Sequence, residues 1–149
     1  MIIRKVTEKD FDSWLKMRYD LWPYHTMEEL ETEMRKIYKF FDVDNIAYVA
    51  EEGNIIVGLI ELSIHETAPG CTTKNVGFIE GWYVKEDMRQ KGIGKLLVKQ
   101  GEIWAKAAAC MEMASDTNER YPISPIAHKA LGYQEVNIPL HYRKSLMNI

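Results

Sequence analysis

The chain has 149 residues, 46% of them hydrophobic, and a net charge of −3. That suits one globular domain spanning 1–149 rather than a disordered or fibrous chain. The absence of a long basic run argues against nucleic acid as a partner, and no apolar run reaches the ~20 residues of a membrane span. Residues 1–6 lack the apolar segment of a signal peptide. With no export signal, the two cysteines, Cys71 and Cys110, offer no disulfide framework and point to a reducing cytoplasm. The four histidines are scattered, so no metal is expected.

In chain order, residues 1–6 read as a short strand, and Asp10 is placed to cap the helix after it. Phe11, Trp14, Leu15, Arg18 and Leu21 follow helical spacing until Pro23 interrupts. Thr26-Met27-Glu28-Glu29 is a capping box for a second helix through Leu30, Met34, Ile37 and Tyr38. Strands are expected at 45–51 and 55–65, joined by a hairpin at Gly53-Asn54, with Gly58 marking a bulge or kink. A loop with Pro69-Gly70 leads to a strand at 76–84. A helix over 92–109 and a short strand over 110–115 come next. A short helix over 126–131 ends at Gly132, and 133–142 forms the last strand region, broken by Pro139. Early hairpins with one late βαβ crossover define an α/β fold with a mixed, largely antiparallel sheet and flanking helices.

The junction Arg89-Gln90-Lys91-Gly92-Ile93-Gly94-Lys95 lies between a strand and a helix. Two glycines there permit a tight turn and a close ligand approach. Amides at a helix start favour a pyrophosphate, and Arg89, Lys91 and Lys95 add charge around it. A plain glycine turn before a basic amphipathic helix is the competing reading. The stretch matches neither the dinucleotide-binding glycine pattern nor the P-loop.

The order strand, Arg89-x-x-Gly92-x-Gly94, helix, strand, then a short helix ending Ala130-Leu131-Gly132-Tyr133 resembles the Gcn5-related N-acetyltransferases over nearly the whole chain. The resemblance implies acetyl-CoA as co-substrate. The amides of Gly92, Ile93, Gly94 and Lys95 would hold its pyrophosphate, and the edge of Trp82-Tyr83-Val84 would pair with pantetheine. Leu21-Trp22, Gly77-Phe78-Ile79-Glu80-Gly81, Glu102-x-Trp104-Ala105, Glu112-Met113-Ala114-Ser115-Asp116 and the block from His128 to Glu135 are similar to aminoglycoside 6'-N-acetyltransferases in particular. By that resemblance Trp22, His25, Glu80 and Asp116 shape the aminoglycoside pocket. Where relatives carry an acidic residue near the start of the final strand this chain aligns Asn137, with Glu135 acidic but one face away. The CoA-side asparagine of the loop after Ser115-Asp116 corresponds to Asn118 or, by strict count, to Tyr121. The resemblance also implies a homodimer, to which the 133–147 edge is a candidate contributor, and a role in antibiotic resistance.

Acyl transfer to an amine needs a neutral nucleophile. An alkylamine with a pKa near ~10.4 is neutral in only about one molecule in ~10³ at pH 7. Glu80 is the candidate base, or else it only binds the amine. It shares a strand face with residues 82 and 84. His128 is a candidate acid for the leaving thiolate, or a solvated helix residue. Tyr142 and Tyr133 are alternatives to it. Trp22 reads either as a sugar-stacking ring or as core, and Trp14, Tyr19 and Tyr24 as packing residues. The acidic run Glu28-Glu29, Glu31 and Glu33 supplies charge for a polycation or is a solvated face. Cys71 and Cys110 have no paired histidine in sequence, so direct transfer is expected without a covalent intermediate. Two alternatives stand beside the aminoglycoside reading. One is an acetyltransferase for a polyamine or protein terminus, and the other a CoA-binding sensor without turnover.

Overall fold

A computed structural model describes residues 1–116, 124–135 and 141–149. Strand β1 (Ile2–Lys5) leads into helix α1 (Phe11–Leu21) through a single 3-10 turn. Asp10 does not cap α1. Its carboxylate accepts from the Thr7 amide at 2.8 Å and from Arg4 at 2.8 Å. It therefore closes the preceding turn, because Thr7 already supplies a helix start one turn earlier. Thr26 caps α2 (Met27–Lys39) as expected: the Glu29 amide donates to the Thr26 hydroxyl at 3.1 Å, and the Thr26 amide donates to the Glu29 carboxylate.

Strands β2 (Asn45–Glu52) and β3 (Ile55–His65) are joined at Gly53 (φ 53°) and Asn54 (φ 70°), the paired left-handed turn that suits a two-residue hairpin. Then come β4 (Val76–Val84), α3 (Ile93–Ala107), β5 (Glu112–Asp116), α4 (Ser124–Ala130), β6 (Gln134–Glu135) and β7 (His141–Ser145). The expected last strand region is thus two strands, with β7 extending to Ser145; Pro139 lies outside the described residues. Helix α3 stops two residues short of expectation. The Cys110 amide donates back to the Ala105 carbonyl and the Ala109 amide to Lys106, with Ala109 at φ 67°. This is the same closure Gly132 makes after α4, built on an alanine.

The described residues form two compact units, one of Met1–Leu62 with Gly81–Gln100 and one of Ser63–Glu80 with Gly101–Ile149. Strand order is β1-β2-β3-β4 in the first and β3-β4-β5-β7-β6 in the second. Pairing is antiparallel for β1 with β2, β5 with β7 and β6 with β7. Only the crossover through α3 makes β4 and β5 parallel. The result is a mixed α/β fold with a mostly antiparallel sheet and flanking helices.

The core of the first unit gathers Val6, Trp14, Met17, Met34, Ala47, Val49, Ile56 and Leu59. Trp14 packs there as expected, whereas Tyr19 and Tyr24 are exposed. Gly58 lies under the α3 side chains of Leu97 and Ile93. Inside this core Arg18 donates to both oxygens of Glu61, at 2.6 and 2.8 Å, and Trp14 donates to Glu61 at 2.7 Å. Arg18 also reaches Glu33 at 2.5 Å, so one member of the acidic run is committed to an internal pair.

In the second unit Glu112 holds the β3–β4 loop to β5. It accepts from the Thr72 and Thr73 amides at 2.9 and 2.7 Å, from the Thr73 hydroxyl and from Arg143. Burial opposes its charge, but the bonds from Thr73 and Arg143 outweigh that and pull the carboxyl down to about 2. Because the folded value lies below the unfolded one, this stabilisation is complete above about pH 4.5 and is lost as pH falls towards 2. It amounts to about 3 kcal/mol at neutral pH. Glu112→Gln is therefore expected to lower the urea midpoint at pH 7, with the deficit shrinking as pH falls from 4.5 to 2. A deficit independent of pH across that window would contradict this.

Candidate active site

The first unit holds the glycine junction. Strand β4 ends at Val84, whose carbonyl accepts from Arg89 Nε at 2.8 Å, and the Arg89 guanidinium lies 5.7 Å over the Tyr83 ring. Arg89 thus clasps the strand end on which it turns back. Gln90 (φ 65°) and Gly92 (φ 83°) make the turn. The first bond of α3 runs from the Leu96 amide to the Gly92 carbonyl at 3.1 Å. The amides of Gly92, Ile93, Gly94 and Lys95 therefore form the helix's first turn, which has no intrahelical partners of its own.

Whether these residues fit a pyrophosphate can be judged from the space above them. A Cβ on Gly92 would meet nothing within 4 Å, so the turn is open where an anion would approach. Lys91 and Lys95 are exposed beside it, and the Ile93 side chain is core. Gly94 is needed for another reason. Trp82 lies against it, the indole N–H donating to the Gly94 carbonyl at 3.2 Å, and a Cβ would stand 3.1 Å from the ring. Tyr83 donates to Asp20 at 3.0 Å. Burial and that bond push its phenol up to about 12, so it stays protonated at neutral pH.

Trp22 closes α1 and lies against the β4 backbone, where a Cβ on Gly81 would stand 2.8 Å from the indole. Its other partner is Arg18, whose guanidinium is 4.9 Å from the ring centroid. The ring is half-buried and held by these two contacts. His25 is exposed, with Nδ1 3.8 Å from Glu29. Glu31 pairs with Arg35, which leaves Glu28 as the one member of the acidic run with no side-chain pair described.

The second unit holds the other acceptor-side candidates, Glu80, Asp116 and Glu135. Glu80 projects to solvent from β4. Its Oε2 accepts from Ser63 Oγ at 2.7 Å and lies 3.0 Å from His65 Nε2. Ser63 and His65 went unnoticed in the sequence, since only the β3–β4 register brings them to Glu80. Asp116 ends β5, exposed, one residue beyond the last β4–β5 pair of Ile79 with Ser115. His128 is not a solvated helix residue. It is buried, with Nε2 2.8 Å from Ser115 Oγ, and its ring stacks on Tyr142 at 4.2 Å and meets the Tyr133 edge at 5.9 Å. Tyr133 itself donates to Glu102 at 2.8 Å.

Burial, reinforced by the Glu112 charge, pushes the Cys71 thiol up to about 11, and burial alone raises Cys110. Neither is a thiolate nucleophile at neutral pH. Glu135 lies in β6, while Asn118 and Asn137 lie outside the described residues. Among the described residues no helix is long and apolar enough to cross a membrane, and no group of three or more His, Cys, Asp or Glu could hold a metal.

A helix start opened by glycine follows a β-strand edge, on a mixed sheet with one late crossover. Residues 13–133 match the acetyltransferase (GNAT) family, and the chain belongs to it. It is an acetyl-CoA-dependent N-acetyltransferase, and its relatives narrow the class to the aminoglycoside 6'-N-acetyltransferases. Aminoglycoside N(6')-acetyltransferase type 1 of Klebsiella aerogenes is 39% identical over 97% of each chain. That of Acinetobacter baumannii is 35% identical over 98% of this chain and 99% of the relative. The apo aminoglycoside 6'-N-acetyltransferase of Acinetobacter haemolyticus superposes with a TM-score of 0.86 at 31% identity, over 92% of this chain and 93% of that one. A second structure, AAC(6')-Iy with the bisubstrate analogue CoA-S-monomethyl-acetylneamine, gives 0.86 at 30% identity over 96% and 97%.

Forcing a side chain onto φ 83° costs about 1–2 kcal/mol. Gly92→Ala is therefore expected to weaken CoA binding about ten-fold by calorimetry while the chain stays folded. Unchanged affinity would mean that the turn does not hold the cofactor.

Proposed function

We propose that this chain transfers the acetyl group of acetyl-CoA to the 6'-amino group of an aminoglycoside by direct attack in a ternary complex, conferring antibiotic resistance. The carrying observation is the Glu80 carboxylate, held by Ser63 on the strand that continues into Trp82-Tyr83-Val84. Acetyl-CoA supplies an activated thioester acetyl group. The first-turn amides of α3, with Lys91 and Lys95, hold its pyrophosphate, and the Trp82–Val84 edge aligns its pantetheine arm. Arg89 and Gln90 shape the turn itself.

Glu80 takes the proton that the acceptor ammonium must lose before its nitrogen can attack, directly or through a water. The nitrogen sheds a second proton to solvent as the tetrahedral intermediate collapses to the amide and the thiolate leaves. The Val84 amide donates to the carbonyl oxygen as negative charge develops there. Trp22 offers a flat face to a sugar ring, and Asp116 pairs with ammonium groups of the acceptor. His25, Glu135 and Asn137 complete the acceptor contacts, and Asn118 the CoA side. His128 or Tyr142 returns a proton to the departing thiolate. The enzyme is read as one catalytic domain over 1–149, a homodimer working in the bacterial cytoplasm, and sedimentation reads the dimer directly.

Thiol release with a panel of amines tests the acceptor. Turnover is expected with kanamycin-type compounds bearing a 6'-amine, and Glu80→Gln is expected to lower kcat about 10²-fold. Release only with spermidine or peptides would move the enzyme to another amine. CoA binding without any release would make the chain a sensor.

A further inference from the structure

Glu80 has a histidine partner that the mechanism above leaves idle. His65, at the end of β3, places Nε2 3.0 Å from Glu80 Oε2 and 3.0 Å from Ser63 Oγ. The imidazole lies flat on Phe78, with centroids 4.3 Å apart and planes 10° apart, so its aim at Glu80 is fixed by packing. Phe78 is itself buried in a small cluster with Ala68, Val76 and Ala114. His65 and Glu80 are both more than a third exposed, so the pair exchanges with solvent and meets an incoming amine. Ser63 and Phe78 are uncharged. Asp116 on β5 follows the Ile79–Ser115 pair and stands in register with His141 on β7, so both are titratable groups along the same row.

We propose that His65 is a specificity-determining residue that sets how much negative charge this face offers a polycationic acceptor. Neutral His65 leaves the Glu80 charge for an ammonium. Protonated His65 pairs with Glu80 at the 3.0 Å contact and competes with the ammonium for the same carboxylate. Histidine is the side chain that ordinarily changes charge between pH 5 and 8. Electrostatic complementarity acts mainly on recognition. The effect is therefore read first in the KM of the amine, and kcat falls with it to the extent that Glu80 is also the base. The proposal rests on Glu80 meeting the acceptor amine, as either base or binding group.

The test is steady-state thiol release with one 6'-amino aminoglycoside between pH 5.5 and 8, in the wild type, His65→Gln and His65→Lys. Wild-type KM is expected to rise at low pH at least three-fold more than that of His65→Gln. His65→Lys, a fixed cation, is expected to show at pH 8 a KM raised at least three-fold over wild type. Calorimetry at pH 6 in two buffers of different ionisation enthalpy adds a reading without turnover. Amine binding should release more protons from wild type than from His65→Gln. Superimposable KM profiles, or a wild-type KM for His65→Lys at pH 8, would overturn the proposal while leaving the acetyltransferase reading intact. An aminoglycoside neither bound nor acetylated would overturn both.

Discussion

The pleat of β4 is the constraint on which the site depends. Alternate residues of a strand face opposite sides, so Glu80 cannot project to solvent without Trp82 and Val84 sharing its side. One nine-residue strand thus carries both the carboxylate proposed for the amine and the edge proposed for the acyl donor. Its other side is equally committed: Gly81 receives the Trp22 ring, and Tyr83 joins the core of the first unit. A one-residue slip of β4 would exchange these sets, which is why so much packing fixes it.

Buried ion pairs are poor sources of net stability but hold geometry well when fully bonded. Arg18 and Glu61 come close to this, with only Nε of the Arg18 guanidinium left without a partner among the described residues. Glu61 accepts from both Arg18 and Trp14, and the same guanidinium supports the Trp22 indole. A charged pair in the core thereby reaches a ring assigned to the acceptor. Glu112 does comparable work in the second unit, tying the Thr72-Thr73 loop to the start of β5, the strand whose other end bears Asp116.

Much of this was legible in the chain, for physical reasons. Helices and strands with a strong apolar period, the Thr26 capping box and the Gly53-Asn54 hairpin depend on neighbours close in sequence, so local spacing finds them. The glycine junction was visible because both its strand and its helix are. What escaped depends on register or burial. Ser63 and His65 meet Glu80 only across strands. Arg18 looked like one more position of an apolar helix face, and its partner Glu61 sits in an otherwise apolar strand. A charge at a core-phase position in each of two elements was the available signal. Asp10 was misplaced by one turn because two good capping residues, Thr7 and Asp10, compete for one helix start. His128 looked exposed because a seven-residue helix has too short a period to reveal its buried side.

The regiochemistry of the product tests the proposed chemistry most directly. A kanamycin-type aminoglycoside carries several amines of similar basicity, and Glu80, Trp22 and Asp116 are the residues proposed to choose among them. Two-dimensional NMR of the product formed with acetyl-CoA should show a single acetyl group, on the 6' nitrogen. Acetylation at another ring nitrogen, or a mixture of positions, would contradict the assignment of these residues to the 6'-amine.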